Sequence, residues 1–286
     1  MKANLKVLAV LPVVFLLALS ACQGNGGSAG QGQDGNGRAV GEAENSREAG
    51  EVESGGNSGE NSGNGVAGGA GPGGEIGGTG ENDGKGDDLM ATLLFQGHGS
   101  FRITSKDGVV VYVDPYAGEG YDKPADIILV THQHDDHNRI DLIGQKNPGC
   151  TLITNVEALE GGKHNSFSVK GIEIEAVEAS NKNHDPKVCV GFIITVDGVK
   201  VYASGDTSKT GQMESFAGMG IDYALLPCDG IYNMDLKEAA ECAEIIGAKH
   251  NIPVHMKPGA LFDRALAESF EGPDRLIVEA GEEIAL

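Results

Sequence analysis

The sequence predicts an α/β protein in which β-sheets pack against each other and helices lie on the outside. Short apolar, β-branched segments bounded by turn residues recur through the second part of the chain. Two-residue turns such as Asp107-Gly108 and Asp197-Gly198 join neighbouring segments, which predicts hairpins and sheets that are at least partly antiparallel. Helical periodicity follows only after the late strands, so we expect the helices to cover the sheets from outside.

Eight segments of the chain predict strands, several of them as hairpins. In chain order they are ATLLFQG, FRITSKDGVVVYVD, DIILVTH, TLITN, FSVKGIEIEAVEA, VGFIITVDGVKVYASGD, YALLPC and NIPVH. A helix is predicted in MDLKEAAECAEIIGA, where Asp235 can cap the start, Glu238 can close a capping box and Gly247 ends the pattern. A second helix is predicted from Leu261 to Phe270.

The folded domain is predicted to span residues 89–286, which is long enough for one sizeable core. The 66 residues from 23 to 88 contain 24 glycines and no aromatic residue. Such a segment cannot bury enough apolar surface to offset its chain entropy. We therefore expect a flexible, acidic tether over residues 23–88, with a typical end-to-end distance of roughly 45 Å.

The first 22 residues have the layout of a secretory signal. Two lysines precede an apolar run from Val7 to Leu19, which is short for a membrane span. The last four residues, Leu19-Ser20-Ala21-Cys22, resemble the bacterial lipobox. That resemblance implies cleavage before Cys22, a lipid on its thiol and a location on the outer side of the cell membrane. The alternatives are an uncleaved membrane helix and plain secretion.

The charge of the chain excludes some partner classes. The whole chain carries a formal charge of −21, and residues 89–286 carry 16 basic and 30 acidic side chains, a net −14. So acidic a surface argues against nucleic acid as a partner and favours a small-molecule substrate. The four cysteines of this region could form disulfides or stay as buried thiols: Cys150, Cys189, Cys228 and Cys242. Nothing in the sequence indicates an oligomeric state.

The segment THQHDDHNRID, residues 131–141, concentrates imidazole and carboxylate groups at the end of a predicted buried strand. His132 and His134 are two residues apart, so their side chains point the same way in an extended segment. Asp136 and His137 lie further round the turn and face a nearby point. Imidazole and carboxylate ligands suit zinc, and also manganese or iron. The segment therefore predicts two adjacent positions for divalent metal ions.

The HxHxDH pattern at residues 132–137 resembles the signature of the metallo-β-lactamase superfamily. GHGSF at Gly97 to Phe101 and VDP at Val113 to Pro115 look like the ascorbate-6-phosphate-lactonase-like branch of small hydrolases. Gly205-Asp206-Thr207 and the IPVH at residues 252–255 are similar to later metal-binding motifs of the superfamily. The resemblance implies an αββα sandwich, with two mixed β-sheets packed face to face and helices outside. It implies metal ligands at His132, His134, Asp136, His137, Asp206 and His255.

The chain departs from the pattern of the superfamily at one ligand. A further histidine usually lies between HxHxDH and GDT, and Asn181 stands where that histidine would fall. Three readings follow: His184 binds the metal instead, Asn181 contributes an oxygen, or the first position is poorly occupied. We favour His184 as the ligand.

Some members of the superfamily resemble this chain in ways that suggest roles for other residues. Asp136 or Asp135 could transfer a proton, while His98, Asp114 and Asn181 could support the ligands from outside. Several loop residues hint at a small anionic substrate: Tyr121, Lys123, Lys182, Lys187 and Tyr232.

The resemblance implies a metal-dependent hydrolase that uses a metal-activated water on a small ester, lactone or phosphodiester. The alternative is a non-catalytic surface lipoprotein that binds metal or ligand through a degenerate site.

Overall fold

The computed structural model describes residues 90–286. The predicted signal over residues 1–22, with Cys22, and the predicted tether over residues 23–88 lie outside the described residues. Within residues 90–286, no helix combines the length and the hydropathy that crossing a bilayer requires.

Twelve strands and three α-helices make up the regular structure of the described residues. The strands are β1 (Thr92–Gly97), β2 (Ser100–Thr104), β3 (Val110–Val113), β4 (Ala125–Val130), β5 (Lys146–Thr154), β6 (Ser166–Val169), β7 (Ile172–Glu178), β8 (Val190–Val196), β9 (Val199–Ala203), β10 (Tyr223–Pro227), β11 (His250–Val254) and β12 (Glu283–Ala285). The helices are α1 (Asn155–Ala158), α2 (Leu236–Ile246) and α3 (Arg264–Ser269), with 3-10 segments at Ile140–Leu142, Glu160–Gly162 and Gly211–Gly218.

The strands form two six-stranded sheets. The first has the order β12-β1-β2-β3-β4-β5 and the second the order β11-β10-β9-β8-β7-β6. In the first sheet β3, β4 and β5 run parallel, in the second β9, β10 and β11 do, and the other neighbours are antiparallel. Both sheets are therefore mixed, as the sequence predicts.

The main core lies between the two sheets and takes alternate residues from each strand, because successive side chains in a strand point to opposite faces. From the first sheet it contains Leu93, Phe95, Phe101, Ile103, Val111, Val113, Ile127 and Leu129. From the second it contains Ile172, Ile174, Phe192, Ile194, Val201, Leu225, Ile252 and Val254. The predicted sandwich of face-to-face sheets is confirmed.

The helical cover is uneven. On the outer face of the second sheet, α2, α3 and the 3-10 segment at Gly211–Gly218 form a second apolar cluster with sheet residues such as Tyr202 and Leu226. On the outer face of the first sheet, Tyr112 and Ile128 pack beneath Tyr121 and the residues around the 3-10 segment at Ile140–Leu142. One sheet is thus covered by helices and the other by loops.

Helix α2 begins and ends where the sequence predicts. The Asp235 carboxylate accepts a hydrogen bond from the backbone N–H of Glu238 at 2.8 Å, and Gly247 ends the helix with a φ of 65°. The predicted capping box is wrong, because the Glu238 carboxylate accepts from the backbone N–H of Lys209 instead. Helix α3 is shorter than predicted, and the short elements α1 and β12 were not predicted.

Three of the predicted functional residues each follow a strand that is parallel to a neighbour in its own sheet. His132 comes after β4, Asp206 after β9 and His255 after β11. Because carboxyl ends of neighbouring parallel strands meet at one edge of a sheet, these residues lie on the same rim of the sandwich. Three residues at this rim have the left-handed backbone that ordinary residues rarely adopt: His98, Asp114 and His255. Such strain is typical of functional sites.

Gly205 allows the two sheets to approach each other at this rim. Its φ is +61°, and a Cβ at this position would lie 2.9 Å from both the Thr131 Cβ and the Val190 carbonyl oxygen. Gly198, in the turn between β8 and β9, also has a positive φ, but a Cβ there would meet nothing within 4 Å. The two glycines therefore separate the cost of backbone strain from the cost of crowding.

We expect Gly198→Ala to lower the free energy of unfolding by about 1–2 kcal/mol, the usual cost of a left-handed L-residue. Gly205→Ala should lower it by about 2–5 kcal/mol, because overpacking against Thr131 and Val190 adds to the strain. Urea unfolding of the two variants beside the parent measures both values. Equal losses would show that the rim is not tightly packed at Gly205.

Candidate metal centre

Three histidine rings meet in what we call the first cluster: His132, His134 and His184. His132 and His134 follow β4, and His184 comes from the loop between β7 and β8. The Nδ1 of His134 lies 3.1 Å from the Nε2 of His132 and 3.3 Å from the Nε2 of His184. Two nitrogens that bind one tetrahedral zinc ion lie roughly 3.3 Å apart, so the spacing matches a metal site.

The second cluster contains His98, Asp136, His137 and His255. The Oδ2 of Asp136 lies 3.3 Å from the Nε2 of His98 and 3.7 Å from the Nε2 of His255. The rings of His137 and His255 are stacked, with 5.6 Å between their centroids. This second group of imidazole and carboxylate atoms lies beside the first.

Asp206 lies between the two clusters. Its Oδ2 is 3.3 Å from the Nε2 of His184 in the first cluster. Its Oδ1 is 3.2 Å from the Nε2 of His137 and 3.6 Å from the Nε2 of His255 in the second. One carboxylate thus offers an oxygen to each cluster, which is the placement expected of a bridging ligand.

A buried carboxylate supports the histidines of each cluster from outside. Asp114 follows β3, and its Oδ2 lies 2.9 Å from the Nδ1 of His137. The same oxygen accepts a hydrogen bond from the Thr131 hydroxyl at 2.7 Å, so the hydroxyl oxygen is left to accept from the Nδ1 of His132 at 3.1 Å. Both rings therefore donate from Nδ1 and turn Nε2 towards the clusters.

Asp229 has the corresponding position behind His255. Its side chain is fully buried, and its Oδ2 lies 2.9 Å from the Nδ1 of His255. Sequence reasoning missed Asp229, although a signal was available. It follows β10, which runs parallel between β9 and β11, so its side chain reaches the same rim as Asp206 and His255.

Asn181 and His184 have different positions at the departure from the superfamily pattern. His184 is buried and joins the first cluster, whereas Asn181 is in none of the clusters of the described residues. The Oδ1 of Asn181 lies 2.8 Å from the Nδ1 of His184, on the side of the ring that faces away from the cluster. The geometry therefore fits the reading in which His184 replaces the usual histidine and Asn181 orients it.

The charged groups of the site shift one another's pKa in opposite directions. Burial lowers the pKa of His132 to about 2. Burial also opposes a charge on His255, but the neighbouring carboxylates of Asp136 and Asp229 raise its pKa to about 9. Burial would raise the pKa of Asp206, yet the neighbouring imidazoles hold it well below its usual range. Ionised carboxylates and neutral imidazoles are the forms that bind a cation.

Buried atoms without a partner test whether metal ions fit this site. The Nε2 atoms of His137 and His255 and the Oδ1 of Asp206 are buried, and none has a hydrogen-bond partner among the described residues. A buried polar atom without a partner is costly. These three atoms face one another, so one bound cation would satisfy all of them. The donor set and its arrangement fit divalent metal ions.

The remaining predicted residues are placed as follows. His98 donates from Nδ1 to the Ala260 carbonyl oxygen at 3.1 Å, and its ring is tilted by 41° against that of His255 with 3.7 Å between the centroids. Asp135 is exposed and lies outside the clusters. The Tyr121 hydroxyl donates to the Ala117 carbonyl oxygen, and Lys123 donates to Thr104.

Two connected clefts open onto the clusters. The front cleft has a volume of about 370 Å³ and is lined by His134, Asp136, Asn183, His184, Asp206, Tyr232 and His255. The side cleft has a volume of about 240 Å³ and is lined by His132, Gln133, His134, Asn155, Asn183, His184, Asp185, Val188 and Cys189. Of the loop residues suggested as substrate contacts, only Tyr232 lines either cleft.

The four cysteines of the described residues are free thiols rather than disulfides. Cys189, Cys228 and Cys242 are buried, and burial raises the pKa of each thiol to about 12. A thiol that stays protonated is a poor nucleophile. The cysteines therefore add no nucleophile to the site.

Known proteins are similar to this chain in sequence and in fold. Residues 92–255 match the profile of the Beta-lactamase superfamily domain. A UPF0173 metal-dependent hydrolase of Pyrococcus furiosus is 32% identical over 192 residues, covering 58% of this chain and 84% of its own.

Solved structures of metal-dependent hydrolases have a similar fold. A protein of Parabacteroides distasonis classed as a metal-dependent hydrolase is 30% identical with a TM-score of 0.55, covering 66% of this chain and 93% of its own. Igni18, a metallo hydrolase of Ignicoccus hospitalis, shares the fold at 23% identity with a TM-score of 0.56, covering 69% of this chain and 98% of its own.

The matching profile covers more than half of the chain, and the Pyrococcus relative matches over most of its own length. The profile match includes the strand ends that carry the His and Asp clusters. The chain therefore belongs to the metallo-β-lactamase superfamily and, within it, to the UPF0173 family of metal-dependent hydrolases.

Proposed function

We propose that the protein hydrolyses a small, uncharged ester or lactone with two divalent metal ions, most simply zinc. The observation that carries the proposal is the pair of clusters with Asp206 between them. His132, His134 and His184 would hold one ion, and Asp136, His137 and His255 the other. When bound, such ions polarise a substrate oxygen and lower the pKa of water towards neutrality.

The residues around the clusters position the reaction. Asp206, His184 and His255 are buried at the floor of the front cleft, whereas His134 is exposed at its edge. Asp136 lines that cleft, with its side chain about a third exposed, whereas Asp135 points elsewhere. Asp136 is therefore the better placed of the two carboxylates to contact the substrate and the attacking water, and His98 holds it in position.

Metal content and turnover test the proposal together. The purified protein should contain close to two metal ions per chain by elemental analysis and should hydrolyse p-nitrophenyl acetate or a simple lactone. A chelator should abolish this hydrolysis. His184→Ala should reduce the metal content to about one and kcat/KM by at least about 100-fold, since even the outer partners of ligands contribute roughly 10–100-fold.

His250→Ala is the matched control, because His250 is exposed and packs on Tyr223 away from the clusters. It should leave metal content and turnover unchanged. Two bound metals without any turnover would favour the non-catalytic lipoprotein instead. Unchanged metal content in His184→Ala would exclude His184 as a ligand.

The lining of the clefts supports an uncharged substrate. Among the described residues, no lysine or arginine lines either cleft, and this includes Lys182 and Lys187. Asp185 adds a negative charge to the side cleft, which disfavours an anionic group there. Val188 and Tyr232 are both about half exposed and offer apolar surface to an acyl group. The anionic substrate suggested by the sequence is therefore not what we propose.

We expect p-nitrophenyl butyrate to be hydrolysed with a higher kcat/KM than bis-p-nitrophenyl phosphate. Tyr232→Ala should raise KM for the butyrate about tenfold, because partial burial of an aromatic ring contributes on the order of 1.4 kcal/mol. Val156→Ala removes a side chain that is also exposed but lines neither cleft, and should change nothing. Faster hydrolysis of the phosphodiester would contradict this assignment.

We also propose that a lipid on Cys22 holds the protein on the outer side of the cell membrane. The support is the sequence of the first 22 residues alone. In a bacterial host the full chain should fractionate with membranes, and Cys22→Ser should release it, whereas Cys150→Ser should not. Membrane association that survives Cys22→Ser would favour an uncleaved helix, and soluble export of the parent would favour plain secretion.

A further inference from the structure

The buried Asp229 carboxylate contacts other groups besides His255. Its Oδ1 accepts hydrogen bonds from the backbone N–H groups of Ile231 and Tyr232, each at 2.6 Å. Its Oδ2 accepts one from the Nδ2 of Asn233 at 3.0 Å, beside the Nδ1 of His255 at 2.9 Å. An ionised carboxylate can only accept, so every one of these partners must donate. His255 therefore has its proton on Nδ1.

The donor and acceptor assignment at Asp229 also fixes the orientation of two side-chain amides, those of Asn233 and Asn181. Since the Asn233 nitrogen faces Asp229, its Oδ1 faces the Nδ2 of Asn181, at 3.0 Å. The Oδ1 of Asn181 then faces the Nδ1 of His184, at 2.8 Å. The backbone N–H of Asn183 donates to that same oxygen at 2.8 Å, which independently identifies it as the oxygen of the amide. His184 must therefore also donate from Nδ1, which leaves its Nε2 bare.

We propose that Asp229 sets the tautomer of His184 through Asn233 and Asn181, while it holds a proton on the Nδ1 of His255 directly. Asp229, Asn233 and Asn181 are positioning residues, and we call them the relay. The consequence for metal binding rests on the proposed function, because it requires His184 and His255 to be ligands. The tautomer itself does not depend on a metal.

The relay also gives a physical reason for the asparagine at position 181. A ligand histidine needs a fixed ring orientation and a lone pair directed at the metal, and the hydrogen bond at its other nitrogen supplies both. The short amide of Asn181 accepts from His184 and donates to Asn233 at the same time. An aliphatic residue could do neither. If His184 replaces the usual histidine as the ligand, position 181 must therefore have a polar side chain.

The relay joins the clusters to the wall of the cleft as well. Asp229 holds the backbone of Ile231 and Tyr232, and the Asn183 side chain donates to the Tyr232 carbonyl oxygen at 2.9 Å. Both loops that carry the relay therefore contribute a lining residue to the front cleft.

The tautomer of His184 can be measured in the metal-free protein. Full-length protein with ¹⁵N-labelled histidine is stripped of metal, and long-range ¹H–¹⁵N spectra are recorded at about pH 8, where a histidine of ordinary pKa is neutral. The signals of His184 are identified by their loss in His184→Ala. In the parent protein the proton should be on Nδ1. In Asn233→Ala it should move at least partly to Nε2, and zinc competition should show a dissociation constant raised about 10–100-fold.

Asn147→Ala is the matched control, because the Asn147 Nδ2 also donates to a buried carboxylate, that of Asp126, at 2.9 Å. It should leave the His184 tautomer and zinc affinity unchanged. Asp229→Asn keeps the volume and serves as a second variant. It should change the signals of both His184 and His255, whereas Asn233→Ala should change those of His184 alone.

A His184 proton on Nε2 in the parent protein would overturn the proposal, and so would one that stays on Nδ1 in Asn233→Ala. If the parent shows the expected tautomer, and Asn233→Ala the expected change, but neither binds zinc, the relay is upheld and the proposed function fails. The two ideas can thus fail separately.

Discussion

The structure of this site depends on two buried carboxylates that hold the outer nitrogens of its histidines. Asp114 contacts His137 directly and His132 through the Thr131 hydroxyl. Asp229 contacts His255 directly and is linked to a fourth ring by two amides. An imidazole with a donor bond at Nδ1 turns its Nε2 lone pair the other way. Crowded rings can therefore present lone pairs to a common point instead of repelling through N–H groups.

The sandwich brings these carboxylates to the histidines. Asp114 and His132 follow neighbouring parallel strands of the first sheet, and Asp206, Asp229 and His255 follow three parallel neighbours of the second. Close contact between the sheets at Gly205 puts the two rims together. The strained backbone at Asp114 and His255 is compatible with a core that fixes their position at the strand ends. The packing that stabilises the fold at this rim therefore also fixes the positions of the candidate metal ligands.

An acidic domain with an acidic metal site has a consequence for what it can bind. The bound ions would supply the positive charge of the clefts, since no lysine or arginine of the described residues lines them. In the proposed reaction, recognition away from the ions would rest on the amides of Gln133, Asn155 and Asn183 and on the apolar surface of Val188 and Tyr232. Amides and apolar groups favour neutral substrates with a hydrogen-bonding part and a short apolar part.

Much of this protein can be predicted from its sequence, because strands and metal motifs are local patterns. The apolar, β-branched runs of DIILV and its neighbours predicted the strands, and the spacing in HxHxDH predicted two groups of candidate ligands that the fold brings together. The predicted capping box failed because Glu238 found a partner in Lys209, which is 29 residues away. Distant contacts of this kind leave no periodic signal.

The sequence by itself determined the mixed sandwich, the chemistry of the ligands and the membership of a hydrolase family. It left open whether His184 or Asn181 faces the metal position, and it did not reveal Asp229. Only the tertiary structure shows that His184 lies in the first cluster and that Asp229 lies behind His255. The direction of a hydrogen bond at His184 depends on a carboxylate 45 residues further along the chain, which reaches it through Asn233 and Asn181. Such a relay exists only when separate loops are packed together, because each amide is oriented by the one before it.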